Sequence, residues 1–261
     1  MNKNKYLLIS IFSIVLILLI MTGCNNKKEE TVTNELYIAA ASDLTKAFTE
    51  IGELFEEKYN CKVTFNFGST GILKEQIANG APFDVFAAAD EKAILELEKN
   101  GIVKENSSSL YALGRIGLVI QANSQLEVKE LEDLLKSEIK KIAIANPDHA
   151  PYGLAAKQAL ESKGLWDKIK DKLVYGKNVS DTMTLVTTGN AEVGIIALSL
   201  KDDSQVRFSL LNEAFHKPLR QAMGIIESTK NEDLSQKFVE YINSKEGRVI
   251  MTKYGFTKVE D

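Results

Sequence analysis

The chain has 261 residues, with 32 basic against 36 acidic side chains and a formal net charge of −4. An acidic balance without a basic stripe argues against nucleic acid as a partner, because contacts to a phosphate backbone leave a basic footprint. With only two cysteines no disulfide framework is available, so a chain that is 44% hydrophobic must rest on apolar cores, in one domain or two.

Taken in chain order, the first segment reads as a leader. Lys3 and Lys5 precede an apolar run over residues 6–21, and Thr22-Gly23-Cys24 follows. A basic start, an apolar core and a small residue before a cut describe a secretory signal over 1–23. A membrane span is the competing reading, but the run is near the lower length limit for one. Gly23-Cys24 resembles a lipobox, so Cys24 is expected to become the lipidated first residue on the extracytoplasmic face of the membrane. Residues 24–33 are polar and aperiodic, which predicts a flexible tether. Cleavage removes two of the 32 basic residues and none of the 36 acidic ones, leaving the exported chain more acidic still.

From Leu36 onward short apolar runs alternate with amphipathic segments. Residues 36–41 predict a buried strand, and 43–59 a helix with Leu44, Ala47, Phe48, Ile51, Leu54, Phe55 and Tyr59 on one face. Strands are predicted at 62–67 and 85–89, separated by a helix over 70–79 that Gly80 stops. Asp90 caps the next helix, which ends near Gly101. Residues 115–121 read as a strand, 128–136 as a helix, 141–145 as a buried strand and 152–163 as a helix closed by Gly164. Segments 172–175, 182–188 and 192–198 continue the alternation, and 231–243 with 245–253 form a closing helix pair. Strands alternating with helices place the chain in the α/β class, with parallel βαβ units. Periodicity alone leaves open whether there is one sheet or two.

Four junctions repeat one design, in which a buried apolar run ends in a small polar or glycine-rich turn and a helix starts. They are Ala41-Ser42-Asp43, Phe67-Gly68-Ser69-Thr70-Gly71, the stretch from Asn146 to Gly153 with Pro151-Tyr152, and Gly176-Lys177-Asn178-Val179-Ser180. In open α/β sheets the ligand crevice lies beyond the carboxyl ends of the strands. A helix start offers unpaired N–H groups and the positive end of the dipole, which favour an anion. The ordinary alternative at each junction is helix capping by Ser or Asp. Enzyme readings have less to draw on. His149 and His216 are the two histidines, FGSTG (67–71) lacks the spacing of a nucleophile elbow, and a Ser69–His149–acid triad is the one hydrolytic arrangement left. No Cys/His metal spacing and no P-loop are present. Trp166 reads as a packing residue.

At these junctions the sequence resembles the molybdate-binding proteins of ABC importers. AAASDLTKAF (39–48), FNFGSTGILKEQIANGAPFDVFAAAD (65–90), YALGRIGLVI (111–120), IAIANPDHAPYGLAAKQAL (142–160), AEVGIIALSL (191–200) and EGRVIMTKYGF (246–256) carry the resemblance over nearly the whole body. It implies a two-lobed, class II periplasmic-binding fold, each lobe a mixed sheet flanked by helices. Lobe 1 is then 34–112 plus 220–261, and lobe 2 is 113–219. It further implies a monomeric receptor without cofactor. Such a receptor captures molybdate or tungstate between the lobes and passes it to a membrane permease with its ATPase.

Position by position, the resemblance makes Ser42 and Ser69 hydroxyl donors to the oxyanion, and Asp43, Tyr152 and Val179 backbone N–H donors. Many members carry a further tyrosine hydroxyl where this chain has Ala197, and the Tyr152 hydroxyl is the candidate replacement. A pocket of donors alone suits a fully deprotonated dianion and disfavours hydrogen phosphate, whose proton needs an acceptor; Asp43 is the only candidate for one at these junctions. Other readings are a sulfate or phosphate receptor, an amino-acid receptor, and an extracellular serine hydrolase.

Overall fold

The computed structural model describes residues 34–259; the leader, Cys24 and the tether lie outside them. Residues 34–261 form one compact unit with its own core. Among the described residues no helix is long and apolar enough to cross a membrane.

Two five-stranded sheets are built to the same plan. The first has strands β1 (Glu35–Ala41), β2 (Lys62–Gly68), β3 (Val85–Ala88), β4 (Ser109–Gly114) and β10 (Leu219–Ile225), in the order β2-β1-β3-β10-β4. The second has β5 (Ile116–Gln121), β6 (Ile142–Ala145), β7 (Leu173–Gly176), β8 (Val193–Ala197) and β9 (Val206–Leu210), in the order β7-β6-β8-β5-β9. In each, three parallel strands are followed by one antiparallel strand, β10 beside β3 and β5 beside β8. Both sheets are therefore mixed, as the resemblance implied and as simple βαβ alternation did not. The antiparallel strand of the first sheet arrives only after the second sheet is complete. The chain crosses between the sheets twice, at Arg115 and between β9 and β10.

The helices are α1 (Thr45–Tyr59), α2 (Thr70–Ala78), α3 (Glu91–Lys99), α4 (Pro151–Ser162), the single turn α5 (Trp166–Ile169), α6 (Val179–Thr187), α7 (Glu232–Asn243) and α8 (Lys245–Lys253). They cover both faces of the first sheet, which is why its inner strands β1 and β3 read as nearly continuous apolar runs. On one face Leu36, Ile38 and Ala40 pack with Phe48 and Phe55 of α1 and Phe238 of α7. The ring of Phe238 stands edge-on to Phe48 at 5.7 Å and to Phe55 at 5.2 Å, so the end of the chain is keyed into the core laid down by its start. On the other face Ala39, Phe86 and Ala88 meet Leu73, Ile77, Ile94 and Leu97 of α2 and α3. Asp84 adds a polar clasp, accepting hydrogen bonds from the Tyr37 N–H (2.8 Å), Thr229 Oγ1 (2.5 Å) and Asn231 Nδ2 (3.2 Å).

Several expectations change on contact with the structure. Leu54, placed on the apolar face of α1, is 42% exposed, and Tyr59 is half-buried. The helix expected over 128–136 is only the 3₁₀ turn Leu131–Leu135. There the Asp133 carboxylate takes the N–H groups of Lys129 and Glu130, at 2.8 and 3.1 Å, and this local side-chain pairing replaces a longer helix. Trp166 is a packing residue, half in the core, with Lys157 Nζ over its ring at 5.2 Å.

Candidate ligand site

The four junctions meet at one small cavity. Ala41, Ser42 and Asp43 come from the end of β1, Gly68, Ser69 and Thr70 from the end of β2, Ala150, Pro151 and Tyr152 from the start of α4, and Asn178 and Val179 from the start of α6. Ala89, just after β3, completes the lining. Ser42, Asp43, Ser69, Tyr152 and Val179, singled out along more than a hundred residues of sequence, are thus brought together. Among the described residues no group of His, Cys, Asp and Glu side chains is placed to hold a metal ion.

Each helix start supplies backbone donors for a physical reason. Pro151 occupies the first position of α4, where its missing N–H costs nothing, and the next N–H, that of Tyr152, has no intrahelical partner. Asn178 caps α6 by accepting the Asp181 N–H at 2.9 Å, which leaves the Val179 N–H unpaired within the helix. Capping accounts for Asn178 but not for the two serines. Ser69 holds the N-cap position of α2 and makes no cap bond. It donates instead to the His149 carbonyl at 2.5 Å, and its oxygen lies 2.9 Å from His149 Nδ1. No side-chain cap bond closes the 3₁₀ turn Ser42–Leu44 either.

The two sheets are tied across this cavity. The Gly71 N–H donates to the His149 carbonyl at 2.9 Å, Ser180 Oγ to the Ser42 carbonyl at 2.8 Å, and Ser199 Oγ to the Asp43 carbonyl at 2.7 Å. The approach is close enough to require glycine twice. A Cβ on Gly71 would stand 2.7 Å from the His149 carbonyl oxygen, and one on Gly114 would stand 2.1 Å from the Tyr152 hydroxyl.

Behind the cavity wall lies a buried polar cluster. Asp43 is 1% exposed, and its Oδ2 accepts from the Tyr152 hydroxyl at 2.9 Å and from Gln221 Nε2 at 2.6 Å. Tyr111 donates its hydroxyl to Gln221 Oε1 at 2.9 Å. Asp43 Oδ1 is buried without a partner. Burial pushes the Asp43 carboxyl up to about 6, against the opposing pull of the Gln221 and Tyr152 hydrogen bonds. Burial and the neighbouring carboxylate drive the Tyr152 hydroxyl well above the usual phenol range.

This cluster overturns two expectations. The wall is not made of hydroxyl and N–H donors alone, because the Asp43 carboxyl belongs to it; the exclusion of hydrogen phosphate on that ground holds only where this carboxyl carries a proton. Nor is the Tyr152 hydroxyl free to replace the tyrosine missing at Ala197, since its one proton goes to Asp43. The hydrolytic arrangement fares no better. Ser69 and His149 do meet, but the serine proton faces a carbonyl, which leaves Nδ1–H as the donor between them rather than the base a nucleophile needs. Gln221 was missed in the sequence. Its only signal was a polar residue inside the apolar run 219–225, and that strand itself was not recognised.

The comparisons with known proteins agree with this geometry. The family described as bacterial extracellular solute-binding protein matches residues 36–257. YvgL of Bacillus subtilis, named as an ABC transporter substrate-binding lipoprotein, is 33% identical over 92% of this chain and 94% of its own length. The molybdate-binding protein ModA of Azotobacter vinelandii is 36% identical over 85% of this chain and 89% of its own. The solved structure of a periplasmic molybdate-binding protein from Azotobacter vinelandii superposes with a TM-score of 0.81 at 26% identity, covering 86% of this chain and all of that one. Two mixed sheets meeting at four helix starts, on a chain matched almost from end to end, make this protein a member of the bacterial extracellular solute-binding protein family.

Proposed function

We propose that the chain captures molybdate, with tungstate as the close substitute, and delivers it to the permease and ATPase of an ABC importer. The observation that carries this reading is the convergence of Ser42, Asp43, Ser69, Tyr152 and Val179 on one cavity; the hydroxyls of the two serines and the backbone N–H groups of the other three are the donors this reading assigns. Molybdate-binding proteins among the relatives, at 31% and 36% identity, support the choice of molybdate. Fixed dipoles from several helix starts share the charge of a dianion, so no Arg or Lys is needed in the wall. The lobe on the first sheet (34–114 with 219–261, slightly wider than the expected 34–112 with 220–261, since β4 runs to Gly114 and β10 starts at Leu219) closes on the lobe between, because only closure brings both sets of donors to one ligand. The receptor works as a monomer without a cofactor and breaks no bond of its cargo.

With Asp43 in the wall, discrimination against sulfate and phosphate rests on size: the smaller ions cannot reach all the fixed donors at once. Ligand at about 100 times its dissociation constant stabilises the native state by roughly 2.7 kcal/mol, about 5–11 °C in Tm for a body of this size. Thermal unfolding of residues 34–261 should shift upward by that amount with molybdate and tungstate and little with sulfate or phosphate. An equal shift with sulfate contradicts the assignment.

The anchor is the second part of the proposal. Gly23-Cys24 closing the apolar leader supports lipidation of Cys24, and the name of YvgL points the same way. Cys24→Ser should appear in the soluble fraction or accumulate uncleaved at higher mass. Normal processing with full membrane retention would refute the anchor.

A further inference from the structure

Asp43 and Asp84 are both buried, but only one of them is saturated. Asp84 takes donors on both oxygens, from the Tyr37 N–H and from Thr229 and Asn231. Asp43 has two donors on Oδ2 and none on Oδ1, although it lines the cavity that the proposed dianion would enter. An unpaired buried acceptor is costly, and a carboxylate beside a dianion adds like-charge repulsion.

Among the described residues no cationic side chain pairs with it. The hydroxyls of Tyr152 from α4 and Tyr111 from β4 are the titratable groups turned towards it. Gln221 from β10 and Ser199 are neutral. On the elements packed against the Ser42–Leu44 turn, Lys46 of α1 is spent on the Lys201 carbonyl (2.8 Å) and Asp202 (3.8 Å). Asp181 of α6 accepts the Lys177 N–H at 2.8 Å, and Lys62 of β2 pairs with Glu35 at 2.9 Å. A proton on Oδ1 removes both difficulties. It cancels the charge, and it turns the orphaned acceptor of a residue that lines the cavity into a donor.

We propose that Asp43 holds the oxyanion as the neutral acid, its Oδ1–H donating to a ligand oxygen, so that each dianion is captured together with one proton from solvent. This rests on the anion-receptor reading above. One O–H bond forms at Oδ1, and no bond to the central atom of the ligand forms or breaks. The direction of the Asp43 shift, upward to about 6 through burial, supports it, and a bound dianion pushes the same carboxyl higher. The sign follows. Below about pH 6 the carboxyl of the free protein already carries the proton and affinity is flat. Above it, the proton must be taken from solvent, and affinity falls about tenfold per pH unit.

The test is titration of residues 34–261 with molybdate, a dianion throughout, between about pH 6 and pH 9. The wild type should lose roughly 100-fold in affinity over two units above pH 6.5. Asp43→Asn, which keeps a donor and cannot titrate, should flatten the profile. As an independent readout on the wild type, calorimetry at pH 8 in buffers of different ionisation enthalpy should show about one proton taken up per anion. Affinity independent of pH, or proton uptake near zero, would overturn the inference while leaving the receptor reading intact. A slope that survives in Asp43→Asn would also overturn it. Absence of saturable binding at every pH would remove the receptor reading, and this inference with it.

Discussion

Gly71→Ala should weaken molybdate binding by about 5- to 150-fold while leaving the ligand-free protein as stable as before, or slightly more so. The added Cβ would meet the His149 carbonyl oxygen at 2.7 Å and the His149 Cα at 3.0 Å, atoms of the opposing backbone that cannot swing aside. It would also disturb the Gly71 N–H bond to that carbonyl. Overpacking of this kind costs about 1–3 kcal/mol, which is the stated range in affinity. The cost falls only on the closed state, because an open cleft separates the two atoms. In the open state the substitution acts within α2, where alanine is better than glycine by roughly 0.5–1 kcal/mol. Affinity and Tm, measured on the same variant, should therefore move in opposite directions. A parallel fall in both would mean that Gly71 matters to the fold and not to closure.

Ser69→Ala should cost at least as much. A hydrogen bond to a charged acceptor contributes about 1.5–3 kcal/mol, or roughly 10- to 150-fold in affinity. The variant also loses the bond from Ser69 Oγ to the His149 carbonyl, which joins the two sheets in the closed form. Stability of the ligand-free protein should hardly change, because the side chain makes no cap bond to α2. Were it an ordinary N-cap, stability would fall by about 0.5–2 kcal/mol with affinity intact. Titration and denaturant unfolding of the one variant separate the two roles.

How much of this could be read from the sequence follows from where each signal is stored. The inner parallel strands β1, β3, β6 and β8 were legible because they are buried on both faces, which writes a nearly unbroken apolar run, and their helices because Asp90 and the helix-ending glycines punctuate the chain. The strands β4, β9 and β10 were not legible. SLYALG and LRQAMGI mix polar and small residues because they pair antiparallel at a sheet edge or carry the buried cluster of Tyr111 and Gln221. What decides their assignment is a partner more than a hundred residues away, β10 beside β3 and β4, and local periodicity holds no record of that.

The site shows the same division. Each of Ser42, Asp43, Ser69, Tyr152 and Val179 sits at a strand–helix junction, and a junction is a local feature. The roles of their side chains are not local. Asp43 is legible as a backbone donor and as the one candidate acceptor at these junctions, but nothing near it in sequence announces Tyr152 and Gln221 as partners of its carboxyl. The Tyr152 hydroxyl was assigned to the ligand because its distance from Asp43 could not be known. Gly71 and Gly114, read as turn residues or passed over, are required by atoms of the other sheet.

The claim on which the rest depends is that these junctions form one site for a molybdate-type dianion. Calorimetric titration of residues 34–261 with molybdate tests it most directly, followed by displacement with sulfate. The expected result is saturable binding at one anion per chain, abolished by tungstate competition and unaffected by an equal concentration of sulfate. Heat that never saturates with molybdate, or sulfate that displaces it at parity, would contradict the account.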